Sequence, residues 1–302
     1  MASSTVGPWA KDKLDRLGKY LNAYTTIMRK QSWCEGYYYI DAFAGPGKHQ
    51  VRDKEVNELE VESALLDLSH DGSQQPEHQA FLAGSPRIAL ELNNPFSGYI
   101  FVEKNAERAT ELEQLKEEFG TSRSISIHKL DCNEFLLNRV VNSKKVNWKT
   151  NRAVVFLDPF GMQVGWDTLQ NLAQTEAIEV FLNFPVGMAI QRLLPRDSTK
   201  LTKKSREKLD RYFGSPDWYR ELYKPQFNLF GEEIDENSEN SGIALLRWYR
   251  ARLKKAFGHV SKAALIRNSK GGHLYFLLLA TPKATGAKIA SDILSGGETV
   301  RL

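Results

Sequence analysis

Cysteine is nearly absent from this chain: Cys34 and Cys132 are the two in 302 residues. They lie far apart and form no ligand pair, which excludes a disulfide framework and a cysteine-based zinc site; no metal is expected. Long apolar runs are missing as well. The longest, Leu274 to Ala280, is far too short to span a bilayer, so no membrane partner is expected. Met1 to Pro8 lack a basic start and an apolar core, so no secretory leader is read there and a cytoplasmic location is expected. Neither charge sign dominates: 41 Lys and Arg stand against 37 Asp and Glu, a net charge of +4. That balance permits a nucleic-acid partner without requiring one. No internal repeat stands out. The remaining composition, 41% hydrophobic and 26% charged, is that of a globular protein, and the length suits one large α/β domain over 1–302 with insertions.

What is present begins with Tyr37-Tyr-Tyr-Ile-Asp-Ala-Phe-Ala-Gly-Pro-Gly47. An apolar run ends in Asp41, and Gly45 and Gly47 follow closely. A buried strand that passes into a glycine loop lets the backbone approach a nucleotide-like ligand, because no Cβ blocks it. An ordinary tight turn would share the pattern, so the next segments decide. Tyr99-Ile-Phe-Val-Glu103, Ile125 to Asp131 and Arg152 to Asp158 are three further strand-like runs that end in a carboxylate. Helical spacing separates them: Ala109, Leu112, Leu115 and Phe119 behind an Asn105 cap, then 133–141 and 166–173. Alternating strands and helices predict a parallel sheet with crossovers, whose ligand crevice lies at the carboxyl ends of the strands.

An amino-terminal helix is predicted with Leu14, Leu17, Leu21, Tyr24 and Met28 on its apolar face and Lys11, Lys13, Arg16 and Lys19 largely elsewhere. A polar insertion occupies 48–86, with a short helix at 61–68 and a loop at 71–76. Ser85 and Pro86 read as the cap and first residue of a helix. Ala177 to Phe184 is a fifth strand. The segment 188–240 then breaks the alternation. It opens basic (Arg192, Arg196, Lys200, Lys203, Lys204, Arg206), turns aromatic (Tyr212, Phe213, Trp218, Tyr219, Tyr223, Phe227, Phe230) and ends in an acidic stretch, 232–239, read as a surface loop. After a helix at 242–257, strands at 260–267 and 273–281 form a hairpin, and a helix at 283–294 follows. The expected fold is α/β, class I methyltransferase-like (Rossmann-like), with a mostly parallel sheet, a terminal antiparallel hairpin and a mixed insertion. The 188–240 insertion is a candidate substrate-recognition subdomain.

The combination of Asp12-Lys-Leu, Leu17-Gly-Lys-Tyr-Leu21, Tyr39-Ile-Asp-Ala-Phe-Ala-Gly-Pro-Gly47, Gly84-Ser-Pro-Arg-Ile-Ala-Leu90, Phe101-Val-Glu-Lys-Asn105, Phe156-Leu-Asp-Pro-Phe-Gly161 and Leu182-Asn-Phe-Pro185 resembles the three-Cys-motif partner family over nearly the whole chain. That family is similar to class I S-adenosylmethionine-dependent methyltransferases and takes its name from gene neighbours with a three-cysteine motif. The resemblance implies S-adenosylmethionine as cofactor and a protein partner of that kind.

For such a donor, Phe43, Gly45 and Gly47 suit the methionine part, Asp41 its ammonium, Glu103 the ribose hydroxyls and Asp131 the adenine amine. Loop solvation for Glu103 and a helix cap for Asp131 are the plain alternatives. Asp158-Pro159-Phe160-Gly161 resembles the Asp-Pro-Pro-Tyr signature of methyltransferases that act on adenine. In that signature the acid and a proline carbonyl accept from the exocyclic amine, and an aromatic ring stacks on the base. Here Phe160 replaces the second proline and Gly161 stands where the aromatic belongs. Asn183 sits at the neighbouring strand end, where an amide could read a base edge. The basic run from Arg192 to Arg211 could follow phosphates and the aromatics after it could stack bases, or the run is a solvated helix face with core aromatics behind it. Two functions follow: a methyltransferase that acts on an exocyclic amine of RNA or DNA, or an inert methyltransferase-fold partner subunit. A small-molecule or protein methyltransferase fits the basic insertion less well.

Overall fold

The computed structural model describes residues 8–45, 84–227, 233–237, 241–267, 271–297 and 299. Gly47, the 61–68 helix, the 71–76 loop and most of the 48–86 insertion lie outside the described residues, as do Phe230 and the side chains of Lys11 and Phe227.

The sheet runs β3–β2–β1–β4–β5–β10–β8. Strands β1 (Gly36–Asp41), β2 (Gly98–Val102), β3 (Ile125–His128), β4 (Asn151–Leu157) and β5 (Ile178–Phe184) are mutually parallel. β10 (His273–Thr281) lies antiparallel to β5, and β8 (His259–Val260) and β9 (Ala264–Arg267) both pair with it antiparallel. The order reverses between β1 and β4, which is the switch point where doubly wound sheets bind ligands.

Both faces of the sheet are covered, and the period of two decides which side chain goes where. Tyr39, Val154, Phe156, Phe181, Leu277 and Leu279 face one core. It is closed by α1 (Pro8–Met28), α2 (Ser85–Leu90), α3 (Ala106–Phe119) and α9 (Ala284–Leu294). Ile40, Val155, Leu157, Val180, Leu182 and Leu278 face the other. That side is closed by α4 (Cys132–Phe135, continued by a π-turn at Leu136–Val141), α5 (Trp166–Gln174), α6 (Lys203–Phe213), α7 (Trp218–Leu222) and α8 (Ser241–Phe257).

Several predicted features have different local causes. Asn105 caps α3 as expected, accepting from the amides of Glu107 and Arg108. Ser85 does not cap α2, whose N-cap is Gly84; its side chain bonds Asp41 instead. The strand expected at 260–267 is two strands, β8 and β9. Ser261 interrupts it: its hydroxyl accepts from the amide of Leu279 at 2.9 Å, a bond that a ladder carbonyl would otherwise make. The acidic stretch expected to be a loop contributes β7 (Glu233–Asn237), paired antiparallel with β6 (Tyr223–Phe227).

Among the described aromatics of the insertion, four are core and Tyr219 is half-buried. Tyr212, Phe213, Trp218 and Tyr223 are at most 3% exposed, and the first three pack around Phe184, Trp248 and Tyr249. Helix α6 supplies two of them because its apolar spacing, Leu209, Tyr212 and Phe213, points inward.

On α1 the apolar stripe is buried as expected, but Lys13 and Arg16 are buried with it, at 0% and 6% exposure. Lys13 lies four residues before Leu17 and seven before Tyr20, so it shares their face. Tyr20 donates to the buried Glu179 of β5, which also accepts from Thr281 at 2.9 Å. Desolvation raises the Glu179 pKa, and the Tyr20 contact fixes α1 on the sheet.

Candidate active site

The carboxyl ends of β1, β4 and β5 place Asp41, Asp158 and Asn183 side by side. All three are fully buried, and by strand alternation they share the face covered by α1. Asp158 is the hub. It accepts from Lys13 Nζ at both carboxylate oxygens, 2.6 and 2.7 Å, and from Asn183 Nδ2 at 2.7 Å. Lys13 Nζ also lies 4.8 Å from the centre of the Tyr275 ring on β10. Desolvation pushes the Lys13 ammonium down to about 8, against the opposing pull of Asp158 and Asp41, so it stays largely charged at neutral pH.

Asp41 accepts from the amide of Phe43, the hydroxyl of Tyr39 and the side chain of Ser85. Burial raises it to about 7, with the neighbouring Asp158 adding to the rise. It therefore orders the turn that follows β1. Gly45 in that turn has φ of 62°, a left-handed conformation that suits glycine. Its amide donates to Glu103 Oε2 at 3.1 Å, while the amide of Asn105 donates to Oε1 at 2.8 Å. Arg108 stands 3.8 Å from the same carboxylate. Glu103, at the end of β2, thus holds the glycine turn against the start of α3. Each oxygen retains a lone pair for a further donor.

Asp131, half-buried after β3, caps α4 by accepting from Asn133 and Glu134 amides. Asn133 then ties that turn to the segment after β4: it donates to the Gln163 carbonyl at 2.8 Å and accepts from Gly165 and Thr168. Gln163 Oε1 accepts from the Phe160 amide at 2.8 Å. Pro159 is buried, Phe160 and Phe43 half-buried. Asp41, Glu103 and Asp158 therefore end adjacent strands around one glycine turn, and Asp131 ends the strand beyond.

Arg192, Arg196, Lys200, Lys203, Lys204 and Arg206 are all exposed, on the turns that leave β5 and on the first half of α6. Arg206 lies 4.7 Å over the ring of Tyr219. Among the described residues no group of His, Cys, Asp and Glu is arranged to hold a metal, and no helix is long and apolar enough to cross a membrane.

No family model matches this sequence. No curated protein matches it either. Solved structures similar to this chain include two of differing likeness. One is a Legionella pneumophila protein of family DUF519, 12% identical, covering 93% of this chain and 90% of that one with a TM-score of 0.47. The other is a Listeria monocytogenes protein described as a candidate S-adenosylmethionine-dependent methyltransferase, 11% identical, covering 87% and 97% with a TM-score of 0.30.

Three members of the cluster escape a reading of sequence alone: Lys13, Ser85 and Tyr275. Only Lys13 leaves a trace, as a basic residue at a position of the apolar stripe of α1. A buried lysine is rare without a partner, which is the signal that it meets a carboxylate.

Proposed function

We propose that this chain is an S-adenosylmethionine-dependent methyltransferase that acts on an exocyclic amine of a nucleic-acid base. The observation that carries the reading is the buried Lys13–Asp158–Asn183 cluster at the switch point, beside a glycine turn that Glu103 holds. The antiparallel β10 next to β5 fits the class I methyltransferase fold, and the motifs shared with the three-Cys-motif partner family point the same way.

When bound, S-adenosylmethionine supplies a methyl group on a sulfonium that leaves as a neutral thioether, so the protein has little acid–base work to do. Its residues chiefly position. The turn at Gly45, where no Cβ projects, and the remaining lone pairs of Glu103 fit a methionine chain and a ribose diol. Asp131 retains an oxygen for an adenine amine. Asp158 is not a bare anion here: Lys13 neutralises it, so its part is to fix geometry. The exposed cations from Arg192 to Arg206 leave the same end of the sheet and would follow phosphates.

Glu103→Ala should weaken S-adenosylmethionine binding by about 1–3 kcal/mol, since hydrogen bonds to a charged group are lost and the glycine turn is released. Calorimetry on the folded variant checks this, and unchanged affinity would remove Glu103 from the site. A pH effect should accompany binding. Burial holds the Asp41 carboxyl up at about 7, so protonation is favoured at pH 6. A cationic donor arriving beside it favours the ionised form, so binding should release close to one proton at pH 6 and almost none at pH 8. Calorimetry in buffers of different ionisation heat measures that number; zero release at pH 6 would contradict the placement of the donor beside Asp41.

Neutralising Lys203, Lys204 and Arg206 together should flatten the salt dependence of RNA or DNA binding by roughly 0.7–0.9 in log–log slope for each phosphate that no longer meets a cation. An unaltered slope would make this run a solvated face.

A second reading, an inert partner subunit, draws on the full burial and neutralisation of Asp158. It shares the expected donor binding and differs in showing no transfer to any acceptor.

A further inference from the structure

Asn183 is 1% exposed, and its two amide atoms are in unequal positions. Nδ2 donates to Asp158 at 2.7 Å. Oδ1 is buried and has no hydrogen-bond partner. The amide cannot relieve this by turning over. A carboxylate only accepts, so the nitrogen must face Asp158 and the oxygen must face away. Lys13 reinforces that direction by donating to both oxygens of Asp158, which leaves the carboxylate an acceptor toward Asn183. A buried acceptor without a donor is costly, and folded proteins satisfy most such groups. Here the cost is retained at a strand end, on the face that carries Asp41 and Asp158. The residue opposite Asn183 on β10 is Leu277, whose side chain has no donor.

We propose that Asn183 Oδ1 is the atom that receives an N–H of the acceptor's exocyclic amine, and that Asp158 acts through it as a positioning residue. This deepens the methyltransferase reading and rests on it. The chemistry is selective. An acceptor oxygen that is locked in direction welcomes an amino group and repels a keto oxygen in the same place. The substrate class is therefore a base with an exocyclic amine, adenine, cytosine or guanine, and not hypoxanthine or uracil. Burial of the amide also means that the acceptor reaches it only when the groups above the strand end part.

The test uses the full chain saturated with S-adenosylhomocysteine. Fluorescence anisotropy compares oligouridylate strands that carry one adenosine or one cytidine with the same strand carrying inosine or uridine alone. The wild type is expected to prefer an amino-bearing strand by roughly tenfold, the scale of one buried hydrogen bond. Asn183→Ala should bring that ratio close to one while S-adenosylhomocysteine affinity stays unchanged, which also shows that the variant is folded. Asn183→Asp is the second variant. It keeps an acceptor oxygen at the same place, so a preference for the amino-bearing strands should persist, in contrast to Asn183→Ala. Retention of the preference in Asn183→Ala, or its absence from the wild type with S-adenosylhomocysteine bound, would overturn the assignment of Asn183 alone. Failure of the wild type to bind S-adenosylhomocysteine would overturn the methyltransferase reading and this inference with it.

Discussion

Lys13→Met is expected to destabilise the protein by about 3–5 kcal/mol, the usual consequence of leaving one member of a buried ion pair without its partner. Lys13 and Asp158 both have 0% side-chain exposure and meet at 2.6 Å, so no solvent is at hand to take over from the missing ammonium. The Asn183 amide cannot replace it, having one donor direction already in use. Urea unfolding measures the loss. The double variant Lys13→Met with Asp158→Leu should recover most of it, because a well-packed apolar pair is often as stable as the ion pair it replaces. A single variant that loses less than about 1 kcal/mol would mean that Asp158 finds water or another cation.

Asp158→Ala carries the largest expected effect on turnover. Without the carboxylate, Asn183 is free to rotate and Lys13 has no anchor, so the acceptor is no longer held in line. Misplacement of about 1 Å is enough to lower a rate roughly 10²-fold, and a loss of about 10²–10³ is expected. Affinity for S-adenosylmethionine should change little, since Glu103 and the Gly45 turn have their own supports. Asp158→Asn should lose less: it keeps one acceptor oxygen for Lys13, although an amide at 158 can also donate to Asn183 and turn it over. Steady-state kinetics beside calorimetry separates the two steps. Equal loss of donor affinity and turnover would place Asp158 on the donor instead.

Much of this arrangement is legible in the sequence, and for identifiable reasons. Strand ends announce themselves because an apolar run must stop where the chain leaves the sheet. Asp41, Glu103, Asp131 and Asp158 all stand at or just beyond such ends. Local chemistry is also visible: Asn105 can satisfy the free amides of α3 without help from distant residues. What sequence hides is long-range. Lys13 and Asp158 are 145 residues apart, and a lysine on an amphipathic helix is ordinarily assigned to the solvent side. Ser85 has the right type and place for a cap, yet a buried carboxylate from β1 claims its side chain. The aromatics of the insertion follow a composition that suits stacked bases or a core. The decision depends on whether α8 brings Trp248 and Tyr249 against them, which no local pattern reveals.

Methyl transfer is the central claim, and the most direct measurement is of that reaction. The full chain is incubated with methyl-labelled S-adenosylmethionine and a mixture of RNA and DNA, and the nucleic acid is digested to nucleosides. Label in an N-methylated adenosine or cytidine, absent with Asp158→Ala, is the expected result. Donor that binds in calorimetry while no nucleoside acquires label would contradict it and leave the fold as a partner subunit.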